Sequence, residues 1–263
     1  MAKKENTALA VVEENLPAEL LEEMGADAGD GMQNVTTEDM AIPFLRILQQ
    51  MSPQLNKREG AYVQGAEEGM IMNTVTGELW EADEGVLFIP CAFNFKHIVW
   101  KDRDQGGGIE ASYPRGAELP SYTTDEKNKM RTAEGHTLTP TAEHYGLIYD
   151  PKSGTIEQAL ISMSSTQLKH SKKWNSMMQQ QQVKTKQGMK QAPSYSRVYR
   201  LKTVGESNDQ GNWSNWSISI EGPVTDVDVY RAARNFARSV NEGKVEVKYT
   251  DPADESLTEE SVM

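Results

Sequence analysis

The acids of this chain crowd toward its two ends, and that distribution confines the folded body to the stretch between them. Residues 1–41 carry ten acids against Lys3 and Lys4, a charge of −8, with glycines at 25, 29 and 31 and no aromatic residue. Such a segment cannot bury enough apolar surface to offset the entropy of ordering it. Residues 251–263 carry five acids and no base, a charge of −5. The whole chain is −12, which leaves 42–250 at +1. Three regions are expected: a disordered acidic tail over 1–41, a single folded domain over 42–250, and an acidic tail over 251–263. A short helix is expected within the first tail around Pro17–Met24. The domain should begin at Ile42–Leu48, where dense apolar character first appears.

The body is itself divided. Residues 158–205 contain no acid, seven lysines and two arginines, or +9 in 48 residues. A cationic block of this kind commonly meets a polyanion, because each neutralised phosphate releases a condensed counterion. The plainer alternative is that it pairs with the acids of the remaining body. Other classes are excluded. The longest apolar run, Val86 to Phe93, has eight residues, against about 20 for a membrane span. The N-terminus has no hydrophobic stretch long enough for a secretory signal. Cys91 is the only cysteine, so no internal disulfide or zinc ribbon is expected, and a reducing, cytoplasmic setting fits.

Local patterns predict the elements. Gly69–Asn73, Val86–Pro90, Phe93–Trp100, Tyr145–Tyr149 and Ile156–Met163 read as strands, rich in β-branched and aromatic residues. Residues 101–140, broken by Gly106-Gly107-Gly108, Pro114, Pro120 and Pro140, read as a long loop. A helix is expected from Ser164, with Gln167 completing a capping box, to about Gln182. Residues 183–193 read as flexible. Tyr195–Val204 and Trp213–Ile220 read as strands joined by a turn at 208–212. Thr225 is expected to cap a last helix in which Val229, Ala233, Phe236, Ala237 and Val240 form one apolar face, with Gly243 at its end. The fold class expected is α+β: a mainly antiparallel sheet or small OB-like barrel with two helices and disordered acidic termini.

The candidate site residues are those of the acid-free block. At about 100° per residue, Lys169, Lys172 and Lys173 share one helix face, away from Trp174 and the methionines. Trp174 is read either as core or as a platform for a base. Tyr195, Arg197 and Tyr199 fall at alternate positions of a strand and so on one face, with Arg200 and Lys202 on the other. Aromatics beside a guanidinium suit a single strand, whose bases stack while its phosphates are held. Lys184, Lys186 and Lys190 complete the block. Two further sets interleave charge and aromatics: Phe93, Phe95, Lys96, Trp100, Lys101 and Arg103, and the stripe Arg231, Arg234, Arg238 on the last helix. The first also reads as a buried strand with a polar end, and the second as a solvated helical surface.

Catalytic signals are poor. No Walker loop, GxSxG, HExxH or Rossmann fingerprint is present, so no catalytic residue, cofactor or metal is expected. Asp102 and Asp104, with His136 or His144, are the only metal candidates considered, and two acids in a charged loop are more often just solvated.

Several strings resemble a set of bacteriophage-encoded proteins from replication regions, described as single-stranded DNA-binding proteins. They are Ile42-Pro43-Phe44-Leu45-Arg46-Ile47-Leu48-Gln49, Ser52-Pro53, Asn73–Glu78, Trp100–Gly108 and Ser162–Trp174, so the resemblance runs from about 42 to 240. It implies a non-enzymatic protein that coats single-stranded DNA during phage replication or recombination, in the host cytoplasm. The acidic C-terminal tail resembles the tails through which single-strand-binding proteins recruit replication or recombination partners. This one ends in Val262-Met263 and lacks the terminal Phe typical of them, which puts that route in doubt. A homo-oligomer is compatible. The rival expectations are a virion accessory protein, a strand-annealing recombination protein and a metal-dependent nuclease.

Overall fold

Two long neighbouring strands organise the chain, which is described by a computed structural model over residues 16–34, 41–102, 106–125, 128–209, 211–245 and 247. In chain order the elements are α1 (Ala18–Ala26), β1 (Leu45–Ile47), β2 (Ile71–Asn73), β3 (Leu79–Trp80), β4 (Val86–Trp100), β5 (Ile109–Pro114), β6 (Tyr122–Thr124), β7 (Met130–Thr132), β8 (Thr137–Tyr149), β9 (Ile156–Ser164), α2 (Leu168–Gln179), β10 (Gln182–Thr185), β11 (Gly188–Gln191), β12 (Arg197–Asn208), β13 (Gly211–Pro223) and α3 (Val227–Asn241). β4 and β8 pair antiparallel from Phe88↔Ile148 to Trp100↔Thr137. The first part of β4 takes β12 on its other edge, and its last part takes β5. β8 does the same with β7 at its start and β9 along the rest. One end of the sheet therefore reads β13-β12-β4-β8-β9, and the other reads β5-β4-β8-β7-β6.

The sheet curls into a half-barrel, and residues 43–49 span its open side. On one margin Leu160 N donates to Pro43 O at 2.9 Å, and Phe44 bridges Leu160 in parallel. On the other, the Gln49 side chain stands in for a strand: its Nε2 donates to Ser214 O and its Oε1 accepts from Ser214 N, both at 2.9 Å. Inside lie Leu45, Ile47, Phe88, Ile161, Met163, Tyr199, Leu201, Trp216 and the ring of Trp174 from α2. The outer face is covered by α3, whose Val229, Ala233, Phe236, Ala237 and Val240 pack on Ile89, Cys91, Leu147 and Val198. These five are the apolar face expected from the periodicity. Cys91 is a buried small hydrophobe as expected, its thiol pushed up by desolvation.

The expected α+β, antiparallel, barrel-like architecture is what the chain adopts, with differences in its parts. There are three helices among the described residues; α1 is the short one expected near Pro17, and it buries no residue. The expected loop over 101–140 contains β5, β6, β7 and the start of β8. Pro140 misled because a proline usually ends a strand. Here it pairs with His97 of β4 on one edge, and on the other it falls between the pairing of β7, which stops at Leu138, and that of β9, which starts at Thr141, so on that edge no ladder bond needs its missing N–H. Pro90 is absorbed in the same way by a bulge between Pro90 and Ala92, which makes β4 one strand rather than two. The stretch 183–193, expected to be flexible, holds the hairpin β10–β11. Ser164 makes no cap bond, and a 3-10 turn at 165–167 precedes α2. α3 is capped by Asp226 rather than Thr225, its Oδ1 accepting from Asp228 N at 2.7 Å and Val229 N at 3.1 Å. The tails 1–15 and 251–263 lie outside the described residues.

At Gly146 there is no room for a side chain between β8 and β4. A Cβ there would meet Ile89 O and the Phe88 ring at 2.4 Å.

If the Gln49 amide closes the half-barrel, Gln49→Leu should destabilise the protein by about 2–4 kcal/mol in urea unfolding, because two buried backbone groups lose their partners. The exposed Gln182→Leu should change stability by less than about 0.5 kcal/mol.

Candidate nucleic-acid interface

The site residues expected from the sequence lie on α2, the β10–β11 hairpin, a 3-10 turn at Ser194–Ser196 and β12. α2 turns Ser171 and Trp174 inward and leaves Lys169, Lys172 and Lys173 exposed, as its periodicity predicts. Trp174 is fully buried. Its ring stacks on His144 at 4.4 Å between centroids and 23° between planes, with Phe88 at 5.9 Å and Tyr199 at 5.7 Å. His144 Nε2 and Ser171 Oγ hydrogen-bond at 2.8 Å. Complete burial takes the His144 pKa down to about 3, so the imidazole under the indole is neutral at pH 7. The base-stacking role considered for Trp174 is thereby corrected: the ring is core, and no base reaches it without unpacking α2.

Tyr199 is corrected for the same reason, being fully buried beside Trp174. The expected row Tyr195–Arg197–Tyr199 does not exist as one face. Tyr195 precedes the strand on the 3-10 turn, and a register shift between Val198 and Tyr199 breaks the alternation. Arg197 donates from Nε to Gln181 Oε1 at 3.2 Å, at the foot of the hairpin. Arg200 is held by Glu221 through Nε and Nη2 at 2.8 and 2.9 Å, and by Glu84 O. Lys202 lies half-buried on the same strand.

Sequence reasoning missed Glu206. This carboxylate collects Lys169 Nζ at 2.8 Å, His170 Nε2 at 3.1 Å, Trp213 Nε1 at 3.2 Å and Asn215 Nδ2 at 2.8 Å. It fastens α2 to β12 and β13, and these partners outweigh its desolvation to draw its pKa down to about 2. The signal was present, since Glu206 is the first acid after the acid-free block.

The hairpin is the most exposed part of the block. Apart from Thr185, every residue of β10 and β11 faces solvent, and its base is closed by Ala192 N donating to Gln181 O at 2.9 Å. Lys186 sits in the turn. Val183 pairs with Lys190, and Met189 with Lys184. Directly paired residues share a face, so each side of the ribbon carries one apolar and one cationic side chain. Lys190 also donates to Gln187 Oε1. Of the nine cations in the block, Lys169 and Arg200 are held by carboxylates. Lys172, Lys173, Lys184, Lys186, Lys190, Arg197 and Lys202 form no ion pair with a carboxylate among the described residues, Lys202 acting on Glu221 only from farther off.

The charged candidates around β4 are neutralised locally. Lys96 pairs with the buried Glu143 at 2.7 Å and Lys101 with Glu110 at 2.6 Å. Asp102 is engaged by Arg131 at 2.9 Å, while Arg103 and Asp104 lie outside the described residues.

Fold and surface together define an α+β protein with a curled antiparallel half-barrel and a protruding cationic hairpin. The chain belongs to the Pam3 phage gp34-like protein family, whose model matches residues 11–246, which indicates a phage protein. No curated protein and no solved structure matches it. Among the described residues no helix is long and apolar enough to cross a membrane.

The pH dependence has a definite sign. His144 is depressed, so below its ordinary value near 6.5 the unfolded chain takes a proton the folded one refuses. Glu206 is depressed too, so its contribution is complete above about 4.5 and is lost as the pH falls toward 2. Stability in urea should therefore fall from pH 7 to pH 3. Glu206→Gln should cost about 2 kcal/mol at pH 7 and flatten the part of the profile below pH 4.5.

Proposed function

We propose that this protein binds single-stranded DNA without catalysing a reaction on it, acting in phage DNA replication or recombination. The observation that carries the reading is the exposed hairpin. It presents Lys184, Lys186 and Lys190 with no carboxylate partner among the described residues, and it continues directly from the helix that exposes Lys172 and Lys173. Lysines held out from the body on a narrow ribbon suit a flexible phosphate backbone, which can follow them. Each face of the ribbon also offers an apolar side chain for an unstacked base. Arg197 at the foot of the hairpin extends the cationic path, and Lys169, Arg200 and Lys202 act from its margins. The resemblance of the chain to phage replication-region proteins supports the same reading.

Fluorescence anisotropy of labelled oligo(dT) tests this. Binding should weaken steeply with salt, and replacing Lys184, Lys186 and Lys190 together by Gln should reduce the log–log salt slope by about 2, at roughly 0.7 per phosphate contact. An absence of binding at low salt defeats the reading.

We further propose that the acidic tail 251–263 competes with DNA for these cations. Tethering gives it a high effective concentration. A chain truncated after residue 250 should bind oligo(dT) more tightly at low salt, with the difference vanishing at high salt; an unchanged affinity rejects the competition.

A further inference from the structure

The 3-10 turn Ser194–Ser196 leaves the hairpin and lands against α3 and β4. It is well fixed there: Ser194 Oγ donates to Cys91 O at 3.2 Å, Ser196 N to Pro193 O at 3.0 Å, and Val224 N to Ser196 O at 3.0 Å. Tyr195, at its centre, meets Tyr230 of α3 edge-on, with centroids 5.3 Å apart and an angle of 61°. Both tyrosines are half-buried, so each is held in place while still reaching solvent. Tyr195 is the one aromatic of the expected row that stays accessible.

Tyr230 also begins a row on α3. Arg234 and Arg238 follow at i+4 and i+8, hence on the same side of the helix. Arg234 has its Nε buried without a hydrogen-bond partner, a condition that few buried donors tolerate. Arg238 is exposed and has no carboxylate pair among the described residues. The nearby Glu242 is engaged by Lys244 at 2.6 Å, and Arg231 is engaged by Asp228 at 2.9 Å. Arg234 lies one helical turn and Arg238 two turns along α3 from Tyr230, and both guanidiniums act electrostatically on the Tyr195 hydroxyl. Two accessible tyrosines, followed along α3 by two guanidiniums that hold no ion pair among the described residues, thus stand close to the hairpin, Tyr195 being four residues beyond its end, a reach of at most about 14 Å.

We propose that Tyr195, Tyr230, Arg234 and Arg238 form a nucleotide seat, in which a base stacks on the tyrosine pair and a flanking phosphate is held by the two guanidiniums. The proposal rests on the single-strand-binding reading and deepens it: a strand gripped by the hairpin through its phosphates continues over the turn onto α3, where a base is engaged. The seat gives the interface a contribution that depends on bases rather than on charge alone, since a stacked base retains its π face at any salt concentration.

The test compares oligo(dT) with an abasic oligonucleotide of the same length and charge, using the full chain. Tyr195→Leu should weaken oligo(dT) binding about tenfold and leave abasic binding unchanged, whereas Tyr195→Phe, which keeps the ring, should bind both like the unaltered protein. Arg238→Gln, at an exposed position that folding tolerates, should weaken both ligands to the same degree. The seat is overturned if Tyr195→Leu affects both oligonucleotides equally or neither, or if Arg238→Gln changes nothing. Failure of the unaltered protein to bind either ligand would sink the single-strand reading itself. Normal binding with an indifferent Tyr195→Leu sinks the seat alone.

Discussion

The burial of one indole ring decides how the rest of this surface is displayed. Trp174 fills the interior of the half-barrel and lies flat on the neutral imidazole of His144. A buried tryptophan removes a large apolar area from water, so the rotation of α2 about its axis is no longer free. Once Trp174 and Ser171 face inward, Lys169, Lys172 and Lys173 must face outward. The Glu206 carboxylate then secures the helix from its other flank through Lys169 and His170. The direction of the hairpin follows, because it starts three residues after the helix ends.

Much of this was legible in the sequence. The apolar face of α3, the exposed lysines of α2 and the pairing of β12 with β13 all follow from local periodicity, and tertiary packing respects it. The errors share a cause. Pro90, Pro140 and the glycines near 106 look like interruptions, yet a bulge and a gap in the ladder accommodate both prolines without loss of the strands. Local sequence cannot reveal such accommodation, because it depends on where neighbouring strands stop. Tyr199 was misread for a related reason. Alternation places it on the same face as Tyr195 only if both residues are in one regular strand, and a turn and a register shift separate them.

Charge was informative about partners but not about geometry. The acid-free block marks a region where lysines are free to face a ligand, and seven of its nine cations form no ion pair with a carboxylate among the described residues. Sequence alone did not show that the free ones divide among a helix, a ribbon and β12. Nor did it show that the turn carrying Tyr195 would pack on α3 against Tyr230, some 35 positions along the chain.

The seam at Gln49 has a kinetic meaning. A barrel closed by a continuous ladder opens only when many bonds part together. Among the described residues, the segment 43–49 is joined to β13 by one amide side chain gripping one backbone unit. Local openings should start there, with the Ser214 amide exchanging its hydrogen sooner than the paired amides of β4 and β8. The interior that holds Trp174 would then be able to breathe along that margin while the long strands stay zipped.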